Sequence, residues 1–210
     1  MSKQFKFFVD AENVIEGFRY NDELITSSEE EVLLAELPRL PFKEFEFHGF
    51  KGKRRTVSFG WHYEFSGRGK LRKADDIPEF LLPLRTQAAK FARMAPEDLQ
   101  HVLAIEYAPG AGIGWHRDRP VFGNVIGVSL LAPCTIRFRR KPTDGKPNAD
   151  AKLDADAELA TNAKWERFNL FAEPRSAYLL TGPARHEWEH SILRVNSLRY
   201  SVTFRNVKET

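Results

Sequence analysis

The sequence predicts an α+β protein whose helices support a C-terminal antiparallel β-core. From residue 102 onward, short segments of β-type alternation are separated by turn-rich stretches, which is typical of a sandwich or jelly roll. Before residue 100, helical spacing and strand-like alternation are mixed. With 210 residues the chain has room for one well-cored domain but not for two. We therefore predict a single domain over residues 1–210, with an N-terminal extension over 1–100 and a β-core over 101–207.

Two helices and two strand segments are predicted in the N-terminal part. Ser27 and Ser28 stand three residues before Glu30 and Glu31, a capping-box pattern that opens the helix EEEVLLAEL. A second helix is predicted over about residues 78–94. Its apolar face contains Leu84, Ala88 and Phe91. Between the helices, KEFEFHGF and RRTVSFGWHYEF alternate as strands do, and the second segment ends at the turn signal SGRG.

Six further strands are predicted in the C-terminal half of the chain. They are VLAIEY, NVIGVSLL, TIRFRR, ERFNLF, AYLLTG and LRYSVTFR. The acidic, Ala-rich stretch over residues 142–164 has neither strand alternation nor strong helical spacing. We interpret this stretch as a long surface loop between two strands of the core.

The composition excludes several classes of protein. No window approaches the ~18 uncharged apolar residues of a membrane span, and the first residues lack the apolar core of a signal peptide. A single cysteine, Cys134, excludes an intramolecular disulfide and a cysteine-based zinc site. We therefore expect a cytoplasmic, monomeric protein that does not enter a membrane.

Positive charge is concentrated over residues 51–73. This stretch has eight lysines and arginines against one glutamate, although the net charge of the chain is only +3. Four aromatic residues are interleaved with these bases: Phe59, Trp61, Tyr63 and Phe65. Such a composition is typical of a loop or ribbon that faces nucleic acid. The alternative is a solvated strand pair with its aromatic side chains buried on the inner face.

Two histidines and one aspartate form a candidate metal site. In YAPGAGIGWHRDRP, His116 and Asp118 are separated by one residue, so both side chains point to one side of an extended strand. His190 lies in a later aromatic-flanked segment, as a facing strand would supply it. Such a set is the facial triad of non-haem iron(II) oxygenases. The alternatives are zinc in the same triad, His186 as the third ligand, and a surface histidine beside a solvated aspartate.

Arg199 is the candidate anchor for an anionic cosubstrate. In LRYSVTFR, alternation places a polar set on one strand face: Arg199, Ser201, Thr203 and Arg205. The other face is apolar and is predicted to lie in the core: Leu198, Tyr200, Val202 and Phe204. An arginine beneath a metal site suits the distal carboxylate of a dicarboxylic cosubstrate, whereas the alternative is the outer face of an edge strand. Arg199 and Arg205 are ~20 Å apart along a strand, so they cannot grip the same carboxylate.

Taken in this order, EYAPGAGIGWHRD, GPARHEWEHSI and LRYSVTFR resemble the AlkB-type 2-oxoglutarate- and iron(II)-dependent dioxygenases over about residues 30–207. The resemblance implies a double-stranded β-helix, or jelly roll, that uses iron(II), 2-oxoglutarate and dioxygen. The iron ligands that it implies are His116, Asp118 and His190. The cosubstrate contacts that it implies are Tyr107, Arg199 and Arg205, with Ser201 and Thr203 between the two arginines. Many members carry an asparagine two residues before that tyrosine, where this chain has Ile105, so one hydrogen bond to the cosubstrate is missing.

The resemblance also implies oxidative dealkylation of N-alkylated bases in DNA or RNA, with release of succinate, carbon dioxide and formaldehyde. The segment SFGWHYEFSG resembles the β-rich lid that covers the substrate in this family. Trp61 and Tyr63 are candidates for stacking on a flipped or single-stranded base. The candidate phosphate contacts are Arg54, Arg55 and Arg68. Arg119 and Pro120 occupy a place where several nucleic-acid-repairing members carry an acidic residue, which leaves the lesion open.

Three functional hypotheses follow from the sequence. The first is a dioxygenase that dealkylates bases in DNA or RNA. The second is a hydroxylase or demethylase of protein side chains, since the same iron centre serves either substrate. The third is a non-catalytic nucleic-acid-binding β-domain with a structural metal ion. The basic, aromatic stretch favours the first, and Arg199 argues against the third because a structural metal site has no use for a dicarboxylate clamp.

Overall fold

The structure is a computed structural model that describes residues 15–47, 50–64, 70–141 and 165–208. The helices are α1 (Ser27–Glu36), α2 (Leu82–Ala92) and α3 (Gly182–His186), with 3₁₀ helices over Leu37–Arg39, Glu79–Leu81 and Pro96–Asp98. The strands are β1 (Phe18–Asn21), β2 (Lys43–Phe47), β3 (Phe50–Phe59), β4 (Trp61–Glu64), β5 (Lys70–Lys73), β6 (His101–Tyr107), β7 (Ile113–His116), β8 (Phe122–Leu130), β9 (Cys134–Arg140), β10 (Glu166–Ala172), β11 (Ala177–Leu180), β12 (Glu189–Ile192) and β13 (Arg199–Val207). The predicted acidic loop over 142–164 and the candidate Arg68 lie outside the described residues.

Two antiparallel sheets form the body of the protein. The large sheet has seven strands in the order β1-β11-β8-β13-β6-β3-β2, and the small sheet has four in the order β10-β9-β12-β7. Strands β4 and β5 pair separately as a hairpin. Because neighbours in each sheet are mostly distant in sequence, the chain crosses repeatedly between the sheets, as in a jelly roll. The predicted α+β class with a double-stranded β-helix core is confirmed.

Two apolar clusters lie on opposite faces of the large sheet. On one face, Leu33 of α1 and Leu84 of α2 belong to the same buried cluster as Val202 of β13. On the other face, Tyr107 of β6 clusters with Phe138 of the small sheet. Each fully buried side chain of this size contributes ~1.5–3 kcal/mol to stability. The helices therefore pack on one face of the large sheet, and its other face is directed at the small sheet.

Helix α1 begins with a capping box that involves other residues than those predicted. The Thr26 hydroxyl accepts the backbone N–H of Glu29 at 3.3 Å, and the Glu29 carboxylate accepts the backbone N–H of Thr26 at 2.8 Å. The capping predicted from the two serines is therefore wrong. Glu30 is buried and instead accepts the backbone N–H of Leu131 at 2.8 Å and the guanidinium of Arg175 at 3.3 Å. These contacts fasten α1 to the end of β8.

The strand predicted over residues 54–65 is divided at Gly60. This residue has φ +72°, and a Cβ atom there would lie 2.0 Å from the carbonyl oxygen of Gln100. Only glycine fits such a position, which lets the β4–β5 hairpin leave the large sheet. The second predicted helix is a 3₁₀ turn followed by α2, and it ends where Arg93 is left-handed at φ 58°. No helix within the described ranges is long and apolar enough to cross a bilayer.

Candidate active site

His116 and His190 lie opposite each other on neighbouring strands of the small sheet. Strands β7 and β12 pair so that the two histidines are in register. The centroids of the two imidazole rings are 4.2 Å apart. Nδ1 of His116 lies 3.0 Å from the carbonyl oxygen of Gly114. With the proton on Nδ1 this contact is a hydrogen bond, and Nε2 keeps its lone pair for a metal ion. Burial, with a smaller effect from His116, lowers the pKa of His190 to about 3, so its imidazole is neutral, as metal binding requires.

Asp118 follows β7 and contacts the large sheet. Its Oδ1 accepts a hydrogen bond from Nη2 of Arg205 at 2.9 Å. Its Oδ2 is buried and has no hydrogen-bond partner among the described residues. Burial opposes ionisation, but the Arg205 guanidinium outweighs it and holds the pKa of this carboxyl well below its usual value. The group is therefore an anion with one oxygen left unpaired.

The donor set at this point suits a divalent metal ion. Two imidazoles beside a carboxylate are the ligand types of a facial triad, and a buried oxygen without a partner is rare in folded proteins. As the side chains stand, no three His, Cys, Asp or Glu side chains of the described segments are gathered closely enough to hold an ion. His186, the alternative third ligand, is exposed at the end of α3. The chemistry of the residues thus fits iron(II), with His116, Asp118 and His190 as the residues that would hold it.

Arg199 is a buried cation without a carboxylate partner in the part of the chain that the structure describes. Its exposure is 1%, and only Nη2 is paired, donating to the Ser129 hydroxyl at 3.0 Å. Nε and Nη1 have no partner there, and the guanidinium carbon lies 4.8 Å from the ring centroid of Tyr107. An uncompensated buried charge costs on the order of several kcal/mol. A bound anion would therefore supply the partners that Nε and Nη1 of Arg199 lack among the described residues.

The polar face of β13 lies on the same side of the large sheet as its register partners Tyr107 and Ile105 of β6. Its four residues are all buried: Arg199, Ser201, Thr203 and Arg205. The alternative of an edge strand is wrong, since β13 pairs with β6 on one side and β8 on the other. Leu198, predicted in the core, is 40% exposed because it precedes the first residue of the strand. The cosubstrate contact of Arg205 stays a prediction, since this side chain is bonded to Asp118.

Two buried residues near the candidate site, Arg185 and His101, are not identified as site residues by the sequence analysis. Arg185 is buried and donates to the carbonyl oxygens of Gly123 at 2.9 Å, Phe122 at 3.0 Å and Arg119 at 2.6 Å, so it fixes the loop after Asp118. Nδ1 of His101 lies 3.4 Å from a guanidinium nitrogen of Arg205, its partner in the β6–β13 register. Burial, and to a lesser extent Arg205, lowers the pKa of His101 well below its usual value. The neutral ring can therefore accept a hydrogen bond from this arginine.

The two described phosphate candidates of β3 are both engaged within the protein. Arg54 is half-buried and donates to the carbonyl oxygen of Gly112 at 3.2 Å. Arg55 makes a two-pronged ion pair with Glu106, at 2.8 and 2.9 Å. A guanidinium already neutralised by a carboxylate gains little from a phosphate. Neither position therefore offers the uncommitted charge that the sequence alone suggested.

The two stacking candidates of the hairpin lie in different surroundings. Tyr63 lies under the guanidinium of Arg119, with the carbon of that group 5.3 Å from the ring centroid. Arg119 belongs to the loop after Asp118, so this contact joins the hairpin to the candidate site. Trp61 lines a separate cleft of about 480 Å³ with Asp76 and Gln100, and none of the candidate iron or cosubstrate residues lines it. The stacking role is therefore better supported for Tyr63 than for Trp61.

Comparison with known proteins gives a consistent picture. A family model described as the 2OG-Fe(II) oxygenase superfamily matches residues 8–205. The chain is 27% identical to an alkylated DNA repair protein ALKBH8 homolog of Arabidopsis thaliana, over 95% of this chain and 61% of that protein. It is 28% identical to a probable RNA/DNA demethylase ALKBH6 of Danio rerio, over 62% of this chain and 53% of that protein. The chain thus spans little more than half the length of these curated relatives.

Solved structures share the fold. A Pseudomonas putida prolyl-4-hydroxylase superposes with a TM-score of 0.56 at 13% identity, over 96% of this chain and 97% of its own. The structure of OsALKBH1 superposes with a TM-score of 0.56 at 14% identity, over 90% and 96%. At such identities the likeness concerns the fold alone. Together with the relatives, these matches confirm the AlkB-like resemblance carried by the sequence motifs.

Proposed function

The chain belongs to the 2OG-Fe(II) oxygenase superfamily, and on that premise we propose that it removes alkyl groups from nitrogen atoms of bases in DNA or RNA. It is a dioxygenase that uses iron(II), 2-oxoglutarate and dioxygen. The names of two relatives, an alkylated DNA repair protein homolog and a probable RNA/DNA demethylase, support this substrate class. Because the chain covers only part of both, the substrate is argued below from its own residues.

The residues of the chain divide the work of the reaction. His116, Asp118 and His190 would hold the iron, and Arg199 would bind the distal carboxylate of 2-oxoglutarate. When bound, iron(II) and 2-oxoglutarate would supply the chemistry that inserts one oxygen atom of dioxygen into a C–H bond. The 2-oxoglutarate is converted to succinate and carbon dioxide. An N-methyl group hydroxylated in this way loses formaldehyde and leaves an N–H group on the base.

The protein contributes position and charge. Arg205 holds the Asp118 carboxylate from the large sheet, and Arg185 fixes the following loop through three carbonyl oxygens. Both imidazoles are presented by paired strands, which are more rigid than loops. These residues therefore serve the same chemistry whether the alkyl group lies on a nucleic acid or on a protein.

The contact between Tyr63 and Arg119 is the observation that favours nucleic acid as the substrate. It places the Arg119 guanidinium over one face of the Tyr63 ring, between the β4–β5 hairpin and the loop that follows Asp118, so a base would stack on the other ring face. The hairpin is basic in sequence, with Lys70, Arg72 and Lys73 against Glu64. A base stacks on an aromatic ring, and its phosphate is bound by a nearby cation. The combination of an aromatic ring and a cation therefore favours a nucleic-acid substrate over a protein side chain.

Succinate formation tests the proposal. The protein is incubated with iron(II), ascorbate and 2-oxoglutarate, either alone, with a single-stranded oligonucleotide carrying N-methylated bases, or with methylated or unmodified peptides. The matched control is the same oligonucleotide without methyl groups. We expect the methylated strand to accelerate succinate formation, with one formaldehyde per additional succinate. If only methylated or unmodified peptides accelerate succinate formation, the protein-directed alternative is correct and the nucleic-acid proposal is wrong.

A further inference from the structure

Strand β9 directs two arginines to the outer face of the small sheet. Its buried residues Ile136 and Phe138 belong to the apolar cluster that is shared with the large sheet. Because side chains alternate along a strand, Arg137 and Arg139 point to the opposite, outer face. Their guanidinium carbons lie 4.8 and 4.3 Å from the ring centroid of Trp115 on β7. The outer face thus holds two cations beside one aromatic side chain.

Only one carboxylate accompanies these cations in their rows across the sheet. Arg139 lies between Arg167 of β10 and Glu189 of β12, and its Nε donates to Glu189 at 2.7 Å. Arg137 lies between two uncharged register partners. Like charges directly opposite each other on neighbouring strands destabilise a sheet. The two rows therefore hold three arginines against one glutamate, and two positive charges have no counterion within these rows.

Arg137 and Arg167 are the two cations without a carboxylate partner. Nε of Arg137 donates to the hydroxyl of Ser191 at 3.1 Å, and this side chain forms no ion pair with a described residue. Arg167 is exposed and has neither a hydrogen bond nor an ion pair with any residue that the structure describes. Arg55 differs from both, since Glu106 neutralises it. A guanidinium that has no carboxylate partner can bind a phosphate through two parallel hydrogen bonds.

The outer face is separate from the candidate iron site. His116 of β7 and His190 of β12 are in register on the inner face of the small sheet. The neighbouring residues Trp115 and Ser191 alternate with them and contact Arg137 on the outer face. A molecule bound to Arg137 therefore lies across the sheet from the candidate iron ligands.

We propose that the outer face of the small sheet binds the phosphate backbone of a nucleic acid, outside the nucleotide that reacts. This inference rests on the nucleic-acid substrate of the proposed function and adds a second contact surface to it. All three cations are arginines, whose planar groups match the geometry of a phosphate. An aromatic side chain among cations is typical of surfaces that bind nucleic acid. The surface is defined by Trp115, Arg137, Arg139 and Arg167.

The test is the binding of an unmodified single strand of about 20 nucleotides, measured by fluorescence anisotropy over a range of salt concentrations. Each phosphate contact contributes ~0.7 to the salt slope, so Arg137→Gln combined with Arg167→Gln should flatten it by about 1.4. The same double variant should raise the Kd by about 10-fold at physiological salt. The matched control is Arg39→Gln combined with Lys90→Gln, which removes two positive charges from the helical side of the protein. The control should leave the slope nearly unchanged.

Further variants separate the effect of charge from structural damage. Arg137→Lys keeps the positive charge and should keep the salt slope. Arg167→Gln alone changes an exposed side chain and should flatten the slope by about 0.7. With a methylated strand of about 20 nucleotides, the double variant should raise KM more than it lowers kcat. With a methylated trinucleotide, which is too short to reach both faces of the sheet, KM should change little.

Three outcomes decide the inference. A salt slope of the double variant within about 0.3 of wild type, or an equal flattening in the control, overturns it. Polyglutamate that binds more tightly than the oligonucleotide, and loses its affinity with the same two arginines, assigns the face to an acidic protein segment and overturns it as well. Wild-type protein that binds the strand through these arginines but leaves methylated bases unchanged contradicts the proposed function and not this surface.

Discussion

Nη2 of Arg205 lies 2.9 Å from Oδ1 of Asp118, so this buried guanidinium has a carboxylate partner. At the other end of the same face of β13, Arg199 is equally buried and has none among the described residues. One strand face therefore carries one buried arginine with a carboxylate partner and one without such a partner among the described residues. The pair fixes a candidate iron ligand, and we propose that Arg199 binds the cosubstrate.

The contrast between the two arginines predicts that replacement by methionine affects stability differently at the two positions. Arg205→Met leaves the Asp118 carboxylate buried and uncompensated, which typically costs ~3–5 kcal/mol of the free energy of unfolding. Arg199→Met removes a charge without a partner, so the free energy of unfolding should stay the same or rise. Urea unfolding of both metal-free variants measures the difference. If Arg199→Met is as destabilising as Arg205→Met, Arg199 stabilises the fold and is not reserved for a ligand.

The affinity for 2-oxoglutarate should depend on Arg199. Loss of charge-assisted hydrogen bonds typically costs ~1.5–3 kcal/mol, so Arg199→Ala should bind 2-oxoglutarate ~10- to 100-fold more weakly. Arg199→Lys should recover only part of the affinity, because an ammonium cannot reproduce a two-pronged contact. Calorimetric titration gives both values, with metal affinity as the internal control. Unchanged 2-oxoglutarate affinity in the alanine variant would assign the distal carboxylate to another group.

Metal binding should require both facing histidines. His116→Ala and His190→Ala each remove one of three ligands, so iron(II) affinity and 2-oxoglutarate turnover should both be lost while far-UV circular dichroism is retained. His186→Ala is the matched control, since this histidine is exposed on α3. Anaerobic titration with iron(II) is the measurement. An inactive His186→Ala beside an active His190→Ala would show that the third ligand is misassigned.

Sequence patterns predicted the polar face of β13 better than the contacts that its neighbouring strands make. Alternation in β13 identified the polar face with Arg199, because strand period alone separates it from the apolar face. Pairing across the sheet could not be predicted in the same way. Glu106, which neutralises Arg55, is 51 residues away in sequence. The composition of the basic stretch therefore does not reveal that Arg55 already has a carboxylate partner.

The ion pair of Arg55 and Glu106 should make stability depend on pH. Hydrogen bonds from Arg55 lower the pKa of Glu106 below its ordinary value of 4.5, the Tyr200 hydroxyl adds to this effect, and burial opposes it. Since the folded pKa is the lower one, the stabilisation is fully present above the unfolded value and is lost as the pH falls through the folded value. Glu106→Gln should remove this part of the acid dependence. Urea unfolding from neutral pH down to about pH 3 measures it, and an identical profile in both proteins contradicts the pair.

Nucleic-acid binding should depend on Arg119 more than on Arg55. Each phosphate contact with a single strand contributes ~0.7 to the slope of log affinity against log salt. Arg119→Gln should therefore flatten the slope by about this amount, whereas Arg55→Gln should leave it nearly unchanged because Glu106 already neutralises Arg55. Tyr63→Ala should weaken binding without altering the slope, since stacking releases no counterions. Fluorescence anisotropy over a range of salt concentrations is the measurement, and equal slopes for all variants would exclude Arg119 from the interface.

Removal of a methyl group from a nucleic-acid base is the central claim, and the mass of the oligonucleotide tests it most directly. A single-stranded oligonucleotide with one N-methylated base is incubated with the protein, iron(II), ascorbate and 2-oxoglutarate, and its intact mass is measured. The account predicts a product lighter by one CH₂ unit with wild-type protein, and no change with His190→Ala or without 2-oxoglutarate. An oligonucleotide of unchanged mass, in a reaction that still forms succinate, would contradict the account and assign the oxygenase to another substrate.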